Sequence, residues 1–166
     1  MKKENMNDKG FSLVELIIVI AIMAILIVVL APQYLRYVER SRNSTDMQNA
    51  RTIMTAVETW AADPQADSSF GASGQKVIFT IRAKGDATGS EITEPTTPVP
   101  ANTTPGEDAL TETGLAIGNI ACESKTNWSS YTITGTVQDN GAIAWSFTSA
   151  DGDGGTDNFG NAMTGN

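Results

Sequence analysis

The chain has no histidine and a single cysteine, Cys122, among 166 residues. The first absence removes Ser-His and Cys-His nucleophile pairs and every histidine metal site. The second excludes an intrachain disulfide, so packing and hydrogen bonding must hold the fold together. Basic residues are also scarce: 11 Lys and Arg stand against 19 Asp and Glu, a net charge of −8. Such a chain offers little to a phosphate backbone, and direct nucleic-acid binding is not expected. No glycine-rich phosphate loop follows a strand, and no acidic pair sits in a recognisable catalytic frame. Neither an enzyme nor a cofactor is expected.

What the chain does have is a long apolar run. Phe11 to Ala31 reads FSLVELIIVIAIMAILIVVLA, with Ser12 and Glu15 its polar members. Twenty-one residues make a helix of roughly 31 Å, about the thickness of a bilayer's hydrocarbon core. A carboxylate inside such a helix costs on the order of 2.5–3.5 kcal/mol on insertion scales, so Glu15 reads as functional. A secretory signal cleaved behind Val29-Leu30-Ala31 would leave Pro32 directly after the cut. Proline has no N–H and a fixed φ, and Glu15 interrupts the apolar core that such a signal needs. Loss of the whole run is therefore the weaker reading. An uncleaved anchor would explain the length of the run but not the spacing around it.

That spacing is Gly10-Phe11-Ser12-Leu13-Val14-Glu15, behind a short polar leader carrying Lys2, Lys3 and Lys9. It resembles the processing signal of type IV pilins and of the related pseudopilins of type II secretion and competence systems. The resemblance covers roughly residues 1 to 60 and is strong over residues 9 to 32. It implies that a prepilin peptidase cuts between Gly10 and Phe11 and methylates the new Phe11 terminus. Glu15 matches the acid of the family motif, and Pro32 the proline near the end of the membrane span. Ala24 stands where many relatives have Gly, and favours helix by about 1 kcal/mol. Charge flanks leave topology close to a tie, with Lys2, Lys3 and Lys9 at one end and Arg36, Arg40 and Arg42 at the other. The resemblance places the leader in the cytoplasm and the C-terminal bulk outside.

The cut would expose an ammonium at Phe11, one helical turn from Glu15. An unperturbed α-amine has a pKa of about 7.7–8.0 and so is largely protonated near neutrality. Glu15 of one subunit could then meet the Phe11 amine of the next. Such pairing would turn an insertion cost into a device that sets axial register. Removing residues 1–10 takes away three lysines, Glu4 and Asp8, leaving 8 basic and 17 acidic residues, net −9.

Beyond Pro32 the pattern predicts that the helix continues to residue 62, with Pro32 bending it and Asp63-Pro64 ending it. Met47, Ala50, Ile53, Met54, Val57, Trp60 and Ala61 recur at helical steps and read as a core stripe packed on a sheet. Lys76 to Ala83 alternates Val77, Phe79 and Ile81 with more polar residues, a strand with one buried face. Residues 84–108 are Thr-, Pro- and acid-rich and read as an exposed loop. Gly114 to Cys122 reads as a second apolar strand. Tyr131 to Val137 and Ile143 to Phe147 predict a hairpin. Parity requires Val137 to oppose Ile143, closing a three-residue loop with Gly141 in the left-handed position. Residues 150–166 read as a flexible Gly/Asp tail. Asp151, Asp153 and Asp157 are weak candidates for a calcium loop, because the EF-hand pattern fails at Gly155 and Ala162. Cys122, in an apolar run, reads as a small buried hydrophobe.

The expected fold is therefore α+β: residues 1–10 a leader, 11–32 a transmembrane and assembly helix, 33–62 its amphipathic continuation, 63–149 an antiparallel sheet head, and 150–166 a tail. The resemblance implies a single-pass membrane precursor, processed by prepilin peptidase and passed by a pilus assembly platform into a helical homo-oligomer outside the cell. Adhesion, twitching motility and biofilm formation are what such a filament does. A pseudopilin of secretion or DNA uptake is the alternative, and a membrane-anchored minor pilin or adhesin the second.

Overall fold

The computed structural model describes residues 10–62, 73–95, 104–151 and 158–165. Its first element, α1, runs from Leu13 to Ala62 with Pro32 inside it. The helix begins two residues later than the apolar run and ends just before Asp63-Pro64, as the sequence predicts. It continues through Pro32, whose ring cannot donate to the Val28 carbonyl four residues back. The chain divides into two compact units, one ending at Val38 and one from Glu39 onward.

In the second unit α1 packs on a four-stranded antiparallel sheet, an α+β head. The strands are β1 (Lys76–Arg82), β2 (Glu91–Thr93), β3 (Trp128–Val137) and β4 (Ile143–Asp151), in the order β2-β1-β3-β4. Strand alternation decides which face is buried. Val77, Phe79 and Ile81 of β1 and Tyr131, Ile133 and Val137 of β3 turn inward to meet Ala50, Ile53, Ala56, Val57 and Trp60 of α1. Ala61, counted in the core stripe from its spacing, is exposed, and Ala56 takes part instead. Hydroxyls on α1 bond back to carbonyls four residues earlier, as Thr52, Thr55 and Thr59 do at 2.7 to 2.9 Å.

The hairpin closes as parity requires. Val137 pairs with Ile143, Gly135 with Trp145 and Ile133 with Phe147. The Gln138 N–H donates to the Ala142 carbonyl at 2.8 Å, leaving Asp139, Asn140 and Gly141 as the loop. Gly141 has φ of 80°, where a side chain would be strained. Gly135 lies under the Trp145 ring; a Cβ there would come within 2.8 Å of Cζ3.

Three expectations are corrected. Residues 84–108 are not one exposed loop. Glu91–Thr93 pairs with β1 as β2, and α2 (Pro105–Glu112) starts within the stretch. Pro105 is pre-set for a helix's first turn, where its missing N–H is not needed. The Glu94 carboxylate accepts from the Gly106 and Glu107 N–H groups at 2.9 and 3.0 Å, and Ala109 and Leu110 are buried. Residues 96–103 lie outside the described residues. Gly114 to Cys122 is not a strand either. It contains a 3₁₀ turn at Ile117–Asn119, and Cys122 forms an isolated parallel bridge with Ala83. Gly118-Asn119 breaks the alternation there. The end of the chain is not a free tail: β4 reaches Asp151 and α3 (Asn158–Thr164) follows. Phe159 of α3 is buried, stacked on Tyr131 with ring centroids 4.2 Å apart and edge-on to Trp128 at 5.2 Å.

Candidate functional site

Gly10, Phe11 and Ser12 precede α1 in non-helical conformation. Ser12 supplies the first carbonyl of the helix, accepting from the Leu16 N–H at 3.2 Å. Phe11 is 86% exposed. Around Gly10 nothing lies within 4 Å of where a Cβ would stand, and its φ is not positive. Neither packing nor backbone conformation demands glycine at position 10, so any demand for it comes from outside the fold.

Glu15 sits in the first turn of α1, three residues after Ser12, where a helix N-terminus favours negative charge. No hydrogen bond or ion pair to Glu15 exists among the described residues. The apolar side chains from Leu13 to Leu30 are all exposed, from Val19 at 42% to Val28 at 74%. This part of α1 has a mean hydropathy of 3.4 and is long and apolar enough to cross a membrane. The structure thus brings Gly10, Phe11 and Glu15 to one end of an uncovered helix, with Pro32 at the far end of the apolar run.

The model of the prokaryotic N-terminal methylation motif matches residues 5–31, across this same segment. Over its N-terminal segment the chain is similar to type IV pilins. The type IV major fimbrial protein FimA of Dichelobacter nodosus is 44% identical over 64 residues, which are 38% of this chain and 40% of that protein. The type IV major pilin protein PilA of Myxococcus xanthus is 32% identical over 66 residues, 40% of this chain and 30% of that protein. The prepilin peptidase-dependent protein A of Clostridium perfringens is 39% identical over 64 residues, 38% of this chain and 46% of that protein. The chain spans less than half the length of these curated relatives, and no solved structure matches it. A cleft of about 620 Å³ beside α1, lined by Arg40, Asn43, Ser44, Asn127 and Asn161 among others, carries no acid, base or nucleophile pair. Among the described residues no three potential ligands from His, Cys, Asp and Glu converge. Of the calcium candidates, Asp151 ends β4, and Asp153 and Asp157 lie outside the described residues.

The head uses two further acids that spacing arguments missed. Asp46 has no exposed surface, and its carboxyl group accepts from the Glu123 N–H at 2.8 Å, the Ser124 N–H at 3.0 Å and the Trp128 indole N–H at 2.8 Å. Two turns earlier, one oxygen of Glu39 accepts from the Ser124 hydroxyl at 2.7 Å and the Lys125 and Thr126 N–H groups at 2.9 and 3.0 Å. Burial pushes the Glu39 carboxyl up, but the donors from Thr126, Lys125 and Ser124 outweigh it and hold the pKa at about 2. Both acids therefore clamp the loop before β3 onto α1. The sequence signal was available: Asp46 falls on the stripe continued by Ala50, Ile53, Val57 and Trp60, where an acid must have buried donors. Cys122 is buried, and burial and the neighbouring Asp46 push its thiol up to about 12, as suits an unreactive core residue.

Proposed function

We propose that the chain is the structural subunit of a type IV pilus filament serving adhesion, twitching motility and biofilm formation. In this reading the precursor crosses the cell membrane once by residues 11–32. Prepilin peptidase cuts between Gly10 and Phe11 and methylates Phe11, and an assembly platform stacks the product into a homo-oligomeric helical filament. Glu15 pairs with the Phe11 ammonium of a neighbouring copy and sets the axial step, while the exposed faces of the Leu13–Leu30 helices cover one another. Pro32 marks the end of that assembly segment.

The observation that carries the reading is the coincidence of the methylation-motif match over residues 5–31 with a helix whose apolar side chains have no cover in the monomer. Such a face needs lipid before assembly and other copies after it. Relatives named as major fimbrial and pilin proteins support a repeating subunit. Shearing the cells and weighing the recovered chain tests this. Fibres whose subunit begins at N-methylated Phe11 are expected. A product beginning at Met1, or one found as single copies in the membrane, overturns the reading.

A further inference from the structure

The face of the sheet turned away from α1 has an unusual surface for a chain with net charge −8. Strand register places Thr80, Thr132 and Thr148 in one row across β1, β3 and β4, and Thr134 beside Ser146 in the next, with Thr136 beyond. Ile78, Ala144 and Ala150 take neighbouring places. Charge lies at the edges of this array: Lys76 at one end, Glu91 beside Thr80 on β2, and at the other end Arg82, which pairs with Glu91 at 2.6 Å. The side chains are short, so the face is flat. The hydroxyls differ from those on α1, which bond to their own helix. Among the described residues none of the six named here is engaged within the chain.

We propose that this face is a lateral contact between filaments, packing against the same face of a second copy of this chain. The inference rests on the filament reading above. Three observations choose that occupant. A neutral patch is where two strongly acidic molecules approach with least repulsion. Short Ser, Thr and Ala side chains let two sheets come close, whereas the aromatic platforms suited to stacking on sugar rings or bases are absent from the array. The hydroxyls both donate and accept, so the face is complementary to itself. Alternate residues about 6.8 Å apart on strands about 4.8 Å apart give the face roughly 300 Å², far below the ~800 Å² per partner of a stable interface. Isolated subunits should therefore not pair through it. Filaments presenting it at every subunit should, because many weak contacts then act together.

The test is the state of full-length filaments by negative-stain microscopy. Wild-type filaments should lie in side-by-side bundles, and those carrying Thr134→Lys or Thr134→Asp should lie apart, with filament yield unchanged and Thr134→Ser still bundled. Mixing lysine-bearing with aspartate-bearing filaments should restore bundles, since opposite charges then face each other. Wild-type filaments that never bundle, or charged variants that bundle as well as wild type, overturn the proposal while leaving the filament reading intact. So do charged variants that separate but do not recombine on mixing, which would indicate a partner other than this chain. Absence of wild-type filaments overturns the filament reading and this inference with it.

Discussion

Asp46 and Glu15 lie on one helix and meet opposite environments. Asp46 is wholly buried with three N–H donors of the head around it, whereas Glu15 has no partner among the described residues. The apolar residues around them divide in the same way: Ile53 and Val57 are covered by the sheet, while every large apolar residue from Leu13 to Leu30 is open. The head covers its own apolar core and supplies the donors that Asp46 and Glu39 need. Among the described residues the N-terminal helix has neither cover for its apolar side chains nor a partner for Glu15. On the proposed filament reading, the head is completed within one chain and the N-terminal segment by lipid or by other copies.

The comparison is broken most directly at Asp46. Asp46→Ala strands the Glu123, Ser124 and Trp128 donors and should destabilise the head by about 3–5 kcal/mol, read as a lower denaturation midpoint of the full chain in detergent. A smaller effect follows at Glu39. A carboxyl held at about 2 contributes stability that is fully present above its unfolded value near 4.5 and is lost as pH falls from there toward 2. Its side chain is 13% exposed, so the contribution is on the order of 2 kcal/mol after allowing for solvent screening. Stability of wild type minus that of Glu39→Gln, followed from pH 6 to pH 3, should shrink as acid is added; a constant difference would contradict the clamp. Subtracting the variant also cancels Glu94, whose carboxyl burial pushes up.

Packing of the head comes next. Gly135→Ala places a methyl group against the Trp145 ring and should cost about 1–3 kcal/mol, measurable by the same unfolding titration. Cys122 gives the smallest perturbation. Its thiol should react with a thiol reagent at least about a hundredfold more slowly in the native chain than in denaturant. Equal rates would mean that the loop before β3 opens freely.

Legibility in the sequence followed the length of the pattern. Residues 9–32 could be read because leader charge, glycine, acid and proline fall at fixed spacings in and around one long apolar run. Lys76–Arg82 and the hairpin could be read because strand alternation runs long enough to fix parity, even to the Val137–Ile143 pair. β2 could not, since three residues show no period and its place is set by pairing with β1. α2 was hidden inside Thr/Pro-rich composition, although Pro105 and the acids after it are ordinary signals of a helix start. Phe159 was masked by its Gly/Asp-rich surroundings; its burial depends on Tyr131 and Trp128, which are far away in sequence. Asp46 and Glu39 belong to the same class, because their donors come from residues 123–128, which spacing on α1 does not reveal.

The measurement closest to the central claim is Glu15→Ala in the full chain, with filament yield and unfolding of the head followed together. The account predicts that the denaturation midpoint and the amount of processed subunit in the membrane stay at wild-type values while filaments are lost. Filaments formed in wild-type number by the variant would show that Glu15 has no partner on another copy.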